Sequence, residues 1–272
     1  MRFPNLGKYA LVVLLVAIAF LTMHKILQFD EFFAALFGVF VAATVSSTVG
    51  FAFSAVAAGI LLQIMSDQIA AVEIMLISSI ALQIYCVALL WRDIVPRRVA
   101  RFLLGGIVTI PAGVYALLAL NTRSYAIVIG IVLAIYGVFT LVRPGPNIPS
   151  GVGSGFADII VGSIGGITGP LVAFPGAAVA MWCNVRGWDK VTQRCVYQPY
   201  ILFMQIATLA VLWMLGETDR IDIAHMLFII PAVLGAHIGL RVFARMTDAE
   251  FKALVNVLLI FSGLWMLGRG LY

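Results

Sequence analysis

The chain has 272 residues, of which 63% are hydrophobic and only 11% are charged. Soluble domains carry about a quarter charged residues, so this composition excludes a water-soluble domain and places the chain in a lipid bilayer. The formal charge of +5 comes mainly from basic residues in short loops that orient a membrane protein, and it therefore indicates no nucleic-acid partner.

Several segments have the length of a single membrane crossing, roughly 17 to 25 apolar residues. The first of them follows Arg2 and Lys8 but lacks a small-residue cleavage site, so we interpret it as a retained helix and not as a signal peptide. The predicted crossings are Tyr9 to Leu27, Ile69 to Trp91, Phe102 to Leu120, Tyr125 to Val142, Cys195 to Leu215, Ala224 to Phe243 and Ala253 to Leu267.

Two further apolar segments are too long for one crossing and too short for two, which would need about 40 residues. Phe32 to Met65 is interrupted at SSTVG (Ser46 to Gly50), and Gly153 to Cys183 is interrupted at GGITGP (Gly165 to Pro170). Loop charges place both ends of each segment on one face of the membrane. We therefore predict two hairpins of half-helices that turn back inside the bilayer, one entering from each side.

The two halves of the chain repeat one pattern with opposite loop charge. Gly113 and Gly239 lie 126 positions apart, and the same offset pairs the arginine-rich loop Arg92 to Arg101 with the acidic loop Gly216 to Ile223. By the positive-inside rule these loops lie on opposite faces, which is typical of an inverted-repeat transporter. In the alternative, each long segment is one tilted helix, and the chain crosses nine times with parallel repeats.

These patterns predict an all-α integral membrane protein, an inverted-repeat helical bundle with two re-entrant or broken-helix hairpins. We divide it into a leading transmembrane helix (1–31), a first repeat (32–143), a linker (144–152) and a second repeat (153–272). The linker contains PGPNIPS (Pro144 to Ser150), which is too rich in proline to be helical.

The stretch around the second interruption resembles a known signature. Gly162 to Arg194 reads GSIGGITGPLVAFPGAAVAMWCNVRGWDKVTQR. It is similar to the second-repeat motif of the TauE/SafE sulfite exporter family, of the 4-toluene sulfonate uptake permease-like (TSUP) superfamily, in which a glycine-rich stretch ending in Gly-Pro precedes a helix, a short basic loop and an arginine. The first repeat departs from this pattern, since Ser46 to Phe51 replaces a glycine cluster. The resemblance implies a secondary carrier of sulfite or organosulfonates such as sulfoacetate. It also implies a multi-pass protein of a bacterial inner membrane.

The two interruptions form the predicted substrate site. A helix broken inside lipid leaves backbone groups that only protein, water or a ligand can satisfy, and two helix N-termini facing each other would attract an anion. Hydroxyl donors, glycines that allow close approach and a proline suited to a first helical turn line the interruptions. The predicted substrate-binding residues are Ser46, Ser47, Thr48, Gly50, Phe51, Gly166, Thr168, Gly169, Pro170, Arg194 and Gln198. In the alternative, the small residues only let helices pack closely.

Each polar candidate in the spans has a second interpretation. Arg194, which matches the arginine of the family motif, either attracts an anion or anchors the topology. Gln198 lies one turn later beside Pro199, and it either donates to sulfonate oxygens or pairs with another helix. For proton coupling there are two candidates. Asp158 indicates a proton carrier, an arginine partner or a helix cap, and His237 either relays protons or packs between helices.

The sequence contains no set of residues for another chemistry. The spans hold neither paired acids nor a Ser-His set, so we expect no enzyme. Cys86, Cys183 and Cys195 lack the spacing of metal ligands. We expect no metal and no cofactor, and as partners only a small anionic substrate and the lipid bilayer. The remaining alternatives are a carrier of another small anion, such as a carboxylate, and a passive anion channel, although a channel would need a continuous polar stripe.

Overall fold

The computed structural model describes residues 31–65, 68–119, 154–172, 174–216, 223–251, 253–254 and 268. Every regular element within these residues is a helix. The predicted crossings Tyr9 to Leu27 and Tyr125 to Val142, the linker Pro144 to Ser150 and most of the crossing Ala253 to Leu267 lie outside the described residues.

The described helices show a membrane protein. Five stretches are long and apolar enough to cross a bilayer: Glu31–Val49, Glu73–Leu90, Pro96–Ala116, Lys190–Met214 and Ala224–Arg245. In chain order the helices are α1 (Glu31–Val49), α2 (Phe53–Ile64), α3 (Gln68–Leu90), α4 (Pro96–Ala119), α5 (Ser154–Val172), α6 (Gly176–Val185), α7 (Lys190–Met214), a 3-10 helix (Ile223–Phe228) and α8 (Ile229–Arg245). Four of the predicted crossings correspond to helices of the structure. Those that begin at Ile69, Phe102 and Cys195 are α3, α4 and α7, and the one that begins at Ala224 is the 3-10 helix together with α8. The protein is therefore an all-α integral membrane protein.

Local chemistry explains where several helices begin and end. The chain leaves α1 at Gly50 with φ 99°, a backbone conformation that glycine adopts without steric cost. Helix α4 begins with Pro96, where the missing N–H has no intrahelical acceptor to lose. Helix α7 begins after Asp189, whose carboxylate accepts from the amides of Val191 and Thr192, each at 3.0 Å. Partial burial acts to raise the pKa of Asp189, but these hydrogen bonds and one from the Thr192 hydroxyl lower it overall.

Each of the two long apolar segments folds back on itself. In the first segment, Gly38 on α1 faces the side chain of Ile60 on α2. In the second, the indole N–H of Trp182 on α6 donates to the carboxylate of Asp158 on α5 at 2.8 Å. A single straight helix would hold either pair about 30 Å apart or more, at 1.5 Å per residue. Each segment therefore folds as a hairpin, and the alternative of one tilted helix per segment is wrong; the entry of the hairpins from opposite sides of the membrane stays a prediction.

The turns of both hairpins lie later in the chain than the sequence predicted. Ser46 to Thr48 belong to the last turn of α1, and the chain reverses at Gly50 to Ala52. Gly165 to Pro170 are helical within α5, and Phe174 and Pro175 lie in the second turn. The expected break at GGITGP is therefore wrong. Close packing offsets the low helix propensity of these glycines: Gly166 packs against α4, Gly165 against Tyr200 on α7, and Gly169 against Pro175.

The two arms of each hairpin differ in length. Helices α1 and α5 have 19 residues each, about 28 Å at 1.5 Å per residue, which is close to the thickness of the hydrocarbon core. The second arms, α2 and α6, have only 12 and 10 residues. The predicted pair of half-helices thus describes the second arm of each hairpin but not the first.

The order of helices recurs along the chain. The second arms, α2 and α6, begin at Phe53 and Gly176, which are 123 positions apart. The helices that follow, α3 and α7, have 23 and 25 residues. This recurrence supports two repeats, and their inverted orientation in the membrane stays a prediction.

The helices group into two compact units. The first unit contains α1, α2, α3 up to Tyr85, the 3-10 helix and α8, and the second contains the end of α3 and α4 to α7. In each unit the first arm of a hairpin packs along a helix from the other half of the chain: α1 on α8 in the first unit, and α5 on α4 in the second. Both halves of the sequence therefore build each unit.

Glycines allow the backbones of these paired helices to touch. In the second unit, Gly162 and Gly166 on α5 face the carbonyl oxygens of Phe102 and Gly106 on α4, and a Cβ at either glycine would overlap them. Because the contacts advance in the same direction along both helices, α4 and α5 run parallel. Close packing of this kind replaces the hydrophobic driving force that is missing between helices in lipid.

The first unit repeats this arrangement between α8 and α1. Gly235 and Gly239 on α8 face the carbonyl oxygens of Phe40 and Thr44, and these contacts also advance in parallel. A Cβ at Gly235 would lie 2.5 Å from the Phe40 oxygen, which is inside van der Waals contact. In both units, small residues therefore fix how closely the hairpin approaches its neighbour.

Replacing Gly166 by alanine is expected to destabilise the protein by about 2 kcal/mol, because an added methyl group overpacks the contact with α4. The apparent melting temperature of the purified protein in detergent measures the effect. Gly155→Ala on the same helix is the matched control, since a Cβ there would lie 3.9 Å from the Arg101 side chain, an ordinary contact. Equal melting temperatures for the two variants would contradict backbone contact at Gly166.

Candidate functional site

In the first unit, the predicted site residues surround the turn between α1 and α2. Three of them lie in the last turn of α1, two form the turn, and all five are buried: Ser46, Ser47, Thr48, Gly50 and Phe51. The structure therefore brings these five residues together at one hairpin turn.

The hydroxyl groups in this turn have different roles. Thr48 donates to the carbonyl oxygens of Thr44 at 2.8 Å and of Gly239 at 3.4 Å, so it joins α1 to α8. The Ser46 hydroxyl is fully buried and has no hydrogen-bond partner among the residues that the structure describes. The Thr48 hydroxyl therefore joins helices, whereas the Ser46 hydroxyl is not used within the described part of the fold.

In the second unit, the predicted glycines also have different roles. Gly166 packs directly on α4, which supports the packing interpretation at that position. Gly169 faces the hairpin turn, where a Cβ would lie 3.1 Å from the Cβ of Pro175. Thr168 donates only a long hydrogen bond, 3.4 Å, to the carbonyl of Gly165. Of these positions, Gly169 is the one in contact with the turn.

The predicted Pro170 lies inside α5, near its end, and not in the first turn of a helix. Its ring therefore does not begin the second arm of the hairpin. Pro175 stands at that place instead, at the N-cap position of α6. The structural role assigned to Pro170 from the sequence is wrong because α5 continues through the motif.

Arg194 and Gln198 lie one turn apart on α7, and both are completely buried. Arg194 interacts with Tyr197 on the same helix. Neither the Nε2 nor the Oε1 atom of Gln198 has a hydrogen-bond partner in the described part of the chain. A buried amide without partners is costly in a protein interior, which marks Gln198 as a residue available to a ligand.

Helix polarity at the two turns differs from the prediction. The motif residues Thr48 and Thr168 lie towards the C-terminal ends of α1 and α5, where carbonyl groups face outward. The free amide groups belong to α2 and α6, which begin at Phe53 and Gly176. The N-cap residues of these two helices are buried and supply no side-chain cap. The uncapped amide groups therefore lie at the starts of α2 and α6 and not at the two motifs.

Asp158 is 2% exposed and lies between basic groups in the second unit. Its carboxylate accepts from the Trp182 indole at 2.8 Å and lies 3.6 Å from Arg186 and 3.7 Å from Arg101. Of the three interpretations that the sequence allowed, the structure supports the arginine partner.

His237 links two helices of the first unit. Its Nδ1 atom lies 2.7 Å from the hydroxyl of Tyr85 on α3. A second pair joins α3 to the 3-10 helix that precedes α8, where His225 Nδ1 lies 2.9 Å from the Glu73 carboxylate. These contacts support the packing interpretation of His237.

A comparison with protein families decides what kind of protein carries this site. A family model described as sulfite exporter TauE/SafE matches residues 34–266. The chain belongs to the TauE/SafE sulfite exporter family. This confirms the resemblance seen in the sequence, and it makes the protein a multi-pass membrane transporter of the sulfur-anion exporter type. A search of curated proteins and a search of solved structures found no match.

Sequence reasoning missed several residues around the turns of this TauE/SafE protein. The Pro-Gly pair at Pro175 and Gly176 is a turn signal that could have placed the second turn. The Tyr200 hydroxyl donates to the carbonyl of Gly162 at 2.7 Å, and no pattern in a single sequence predicts that contact. Trp182 had no assigned role, although it donates to Asp158.

Replacing Asp158 by asparagine is expected to destabilise this TauE/SafE protein by about 3 kcal/mol, because Arg186 is then buried without its counter-charge. Thermal unfolding in detergent measures the loss. The double variant Asp158→Asn/Arg186→Gln removes both charges and is expected to recover part of it. If the single variant is as stable as the parent, the ion pair does not hold α5 to α6.

Proposed function

We propose that the protein is a secondary carrier of small sulfur-containing oxyanions, such as sulfite or sulfoacetate, in a bacterial inner membrane. It works by alternating access around the two hairpin turns. The proposal rests most directly on Gln198, whose buried amide has no partner in the described chain and lies one turn from a fully buried arginine. Membership of the TauE/SafE family supports the substrate class.

The charges and dipoles of the site favour an anion. Arg194 supplies a buried guanidinium, which binds oxyanions through charge-assisted hydrogen bonds. In the same unit, α6 begins at a buried turn with no side-chain cap, so its amide groups add positive potential. In the first unit, taken by itself, α2 begins in the same way, and Ser46 offers a hydroxyl donor. A sulfonate or sulfite has three oxygens that accept from such donors, whereas a cation would meet repulsion.

A carboxylate is the alternative substrate, since it accepts the same hydrogen bonds with two oxygens. Direct competition between sulfoacetate and acetate for transport distinguishes them. A passive channel is the other alternative. Counterflow, in which unlabelled anion on one side of the membrane speeds the entry of labelled anion from the other side, separates a carrier, including a uniporter, from a channel.

Export of an anion needs no coupled ion in this proposal. An inside-negative potential favours the exit of one negative charge by about 2.3 kcal/mol at 100 mV. Both candidates for proton coupling are engaged in structural contacts, Asp158 with two arginines and His237 with Tyr85. The contacts therefore support export as a uniport.

Replacing Gln198 by methionine is expected to lower transport about tenfold or more, because the ligand loses a hydrogen bond to a charged oxygen. Thermal stability should stay equal or rise, since an apolar side chain of similar volume replaces a buried amide without partners. Flux of labelled sulfoacetate into proteoliposomes and the melting temperature are measured together.

Gln193→Met is the matched control for that experiment, on the same helix. Gln193 is also buried, but its amide donates to the carbonyl of Trp188 at 2.8 Å. We expect this variant to lose stability and to keep its transport rate per folded molecule. A Gln198→Met variant with full transport would remove Gln198 from the site.

The proposed inverted repeat predicts that the segments Arg92 to Arg101, which continues into α4 from Pro96, and Gly216 to Ile223 face opposite sides of the membrane. Cysteines introduced at Val95 and at Thr218, the latter outside the described residues, should react with an impermeant reagent from opposite sides. The native cysteines are buried, so background labelling should be low. Labelling of both positions from one side would overturn the inverted orientation.

A further inference from the structure

Arg186 is buried at the end of α6 although it directly precedes a loop. Its side chain is 5% exposed, and Nη1 lies 3.6 Å from Asp158 Oδ1. The remaining two donor atoms, Nε and Nη2, are buried and have no hydrogen-bond partner among the described residues. The counter-ion therefore uses only one edge of this guanidinium.

The two donors without a partner form a chemically specific pair. The N–H bonds of Nε and Nη2 leave the guanidinium side by side, and this fork matches two oxygens of a carboxylate, sulfonate or phosphate. A lysine, with one rotating ammonium group, does not present such a fork. The arrangement of these two donors therefore points to an oxyanion and not to a single-atom anion.

Two indole rings hold Arg186 in place. The Cζ atom lies 5.3 Å from the ring centroids of both Trp182 and Trp188, within the range of cation–π attraction. Arg98 lies 5.4 Å from the Trp188 ring as well. These apolar walls reduce access of water and so strengthen electrostatic attraction at the fork.

The surroundings of the fork carry excess positive charge. Arg101 and Arg186 both face the carboxylate of Asp158, which also accepts from the Trp182 indole, and Arg98 lies over the Trp188 ring. The first turn of α5 adds the positive end of a helix, since a Cβ at Gly155 would lie 3.9 Å from Arg101. Asp158 therefore does not neutralise the cluster.

Exposure decreases from the surface of the cluster to the fork. Arg98 is exposed, the Arg101 side chain is 42% exposed, and the Arg186 side chain is 5% exposed. An anion attracted by the outer arginines can thus be transferred to a buried, preorganised donor pair.

We propose that Arg186, assisted by Arg101, forms a second anion site, which binds one small oxyanion through the Nε and Nη2 fork. The site lies at the start of α5, whereas Gly169 lies at the hairpin turn, roughly 16 Å further along the helix at 1.5 Å per residue. It is therefore distant from the hairpin turn. Binding at Arg186 does not depend on whether the anion is transported.

The same fork chemistry fits the free anion and the phosphate of an anionic lipid. Both present two oxygens at the spacing of the fork. Comparing the protein in nanodiscs of zwitterionic lipid with nanodiscs that contain phosphatidylglycerol separates these sources. Competition by the anionic lipid assigns the site to a lipid phosphate, and unchanged binding assigns it to the free anion.

The test measures binding of methanesulfonate and of inorganic phosphate to the full chain in neutral detergent. Trp182 and Trp188 flank the fork, so their fluorescence reports occupancy, and calorimetry gives the affinity independently. The titrations use a Gln198→Met background, which weakens the proposed transport site and leaves the Arg186 site intact. Failure of either proposal can then be recognised separately.

Arg186→Gln is expected to weaken binding about tenfold or more, and Arg186→Lys, which keeps the charge but not the fork, is expected to weaken it similarly. Arg97→Gln is the matched control, because Arg97 is exposed on α4 and its loss changes the net charge equally. We expect that variant to bind within about twofold of its parent.

Unchanged affinity in Arg186→Gln would overturn the proposal, as would an equal loss in Arg97→Gln, which would show a general effect of loop charge. If Arg186→Gln does not fold, the double variant Asp158→Asn/Arg186→Gln, which removes both buried charges, replaces it. An affinity of the double variant equal to that of the parent would likewise overturn the proposal.

Discussion

Direct contact between helix backbones is the interaction on which the rest of this structure depends. Lipid tails are as apolar as leucine, so helices in a bilayer associate through close packing. Gly166 on α5 and Gly239 on α8 each face a backbone carbonyl oxygen of a neighbouring helix. Because these contacts join a hairpin arm from one half of the chain to a helix from the other, they also fix where each hairpin turn lies.

The buried polar groups divide into those used within the fold and those available to a ligand. Thr48 and Asp158 have protein partners that join helices. Ser46, Gln198 and one edge of Arg186 have no such partners among the described residues. Since an unsatisfied buried donor is costly, this division is a physical criterion for a binding site, and it does not depend on where a motif begins or ends.

Electrostatics connects the structure with the family. The starts of α2 and α6 supply uncapped amide groups at the hairpin turns, and Arg194 adds a buried positive charge. A membrane protein keeps a buried arginine when the arginine serves function or a specific partner. For a chain of the TauE/SafE sulfite exporter family, these features agree with an anionic substrate.

Composition, segment length and loop charge were sufficient to predict the membrane class, the helices α3, α4, α7 and α8 and the folding back of the two long segments, because each is a local or additive property of the chain. The family was predicted from the motif Gly162 to Arg194 alone. The position of the second turn was not predictable, since contacts with α4 at Gly166 and with Tyr200 at Gly165 accompany a helix that continues through Pro170 against the intrinsic preference of its glycines. The partners of Asp158 and the different roles of Gly166 and Gly169 likewise depend on which neighbouring helix each residue faces. Only the tertiary structure decides which helix each residue faces, because contacts between residues distant in sequence are set by the packing of whole helices.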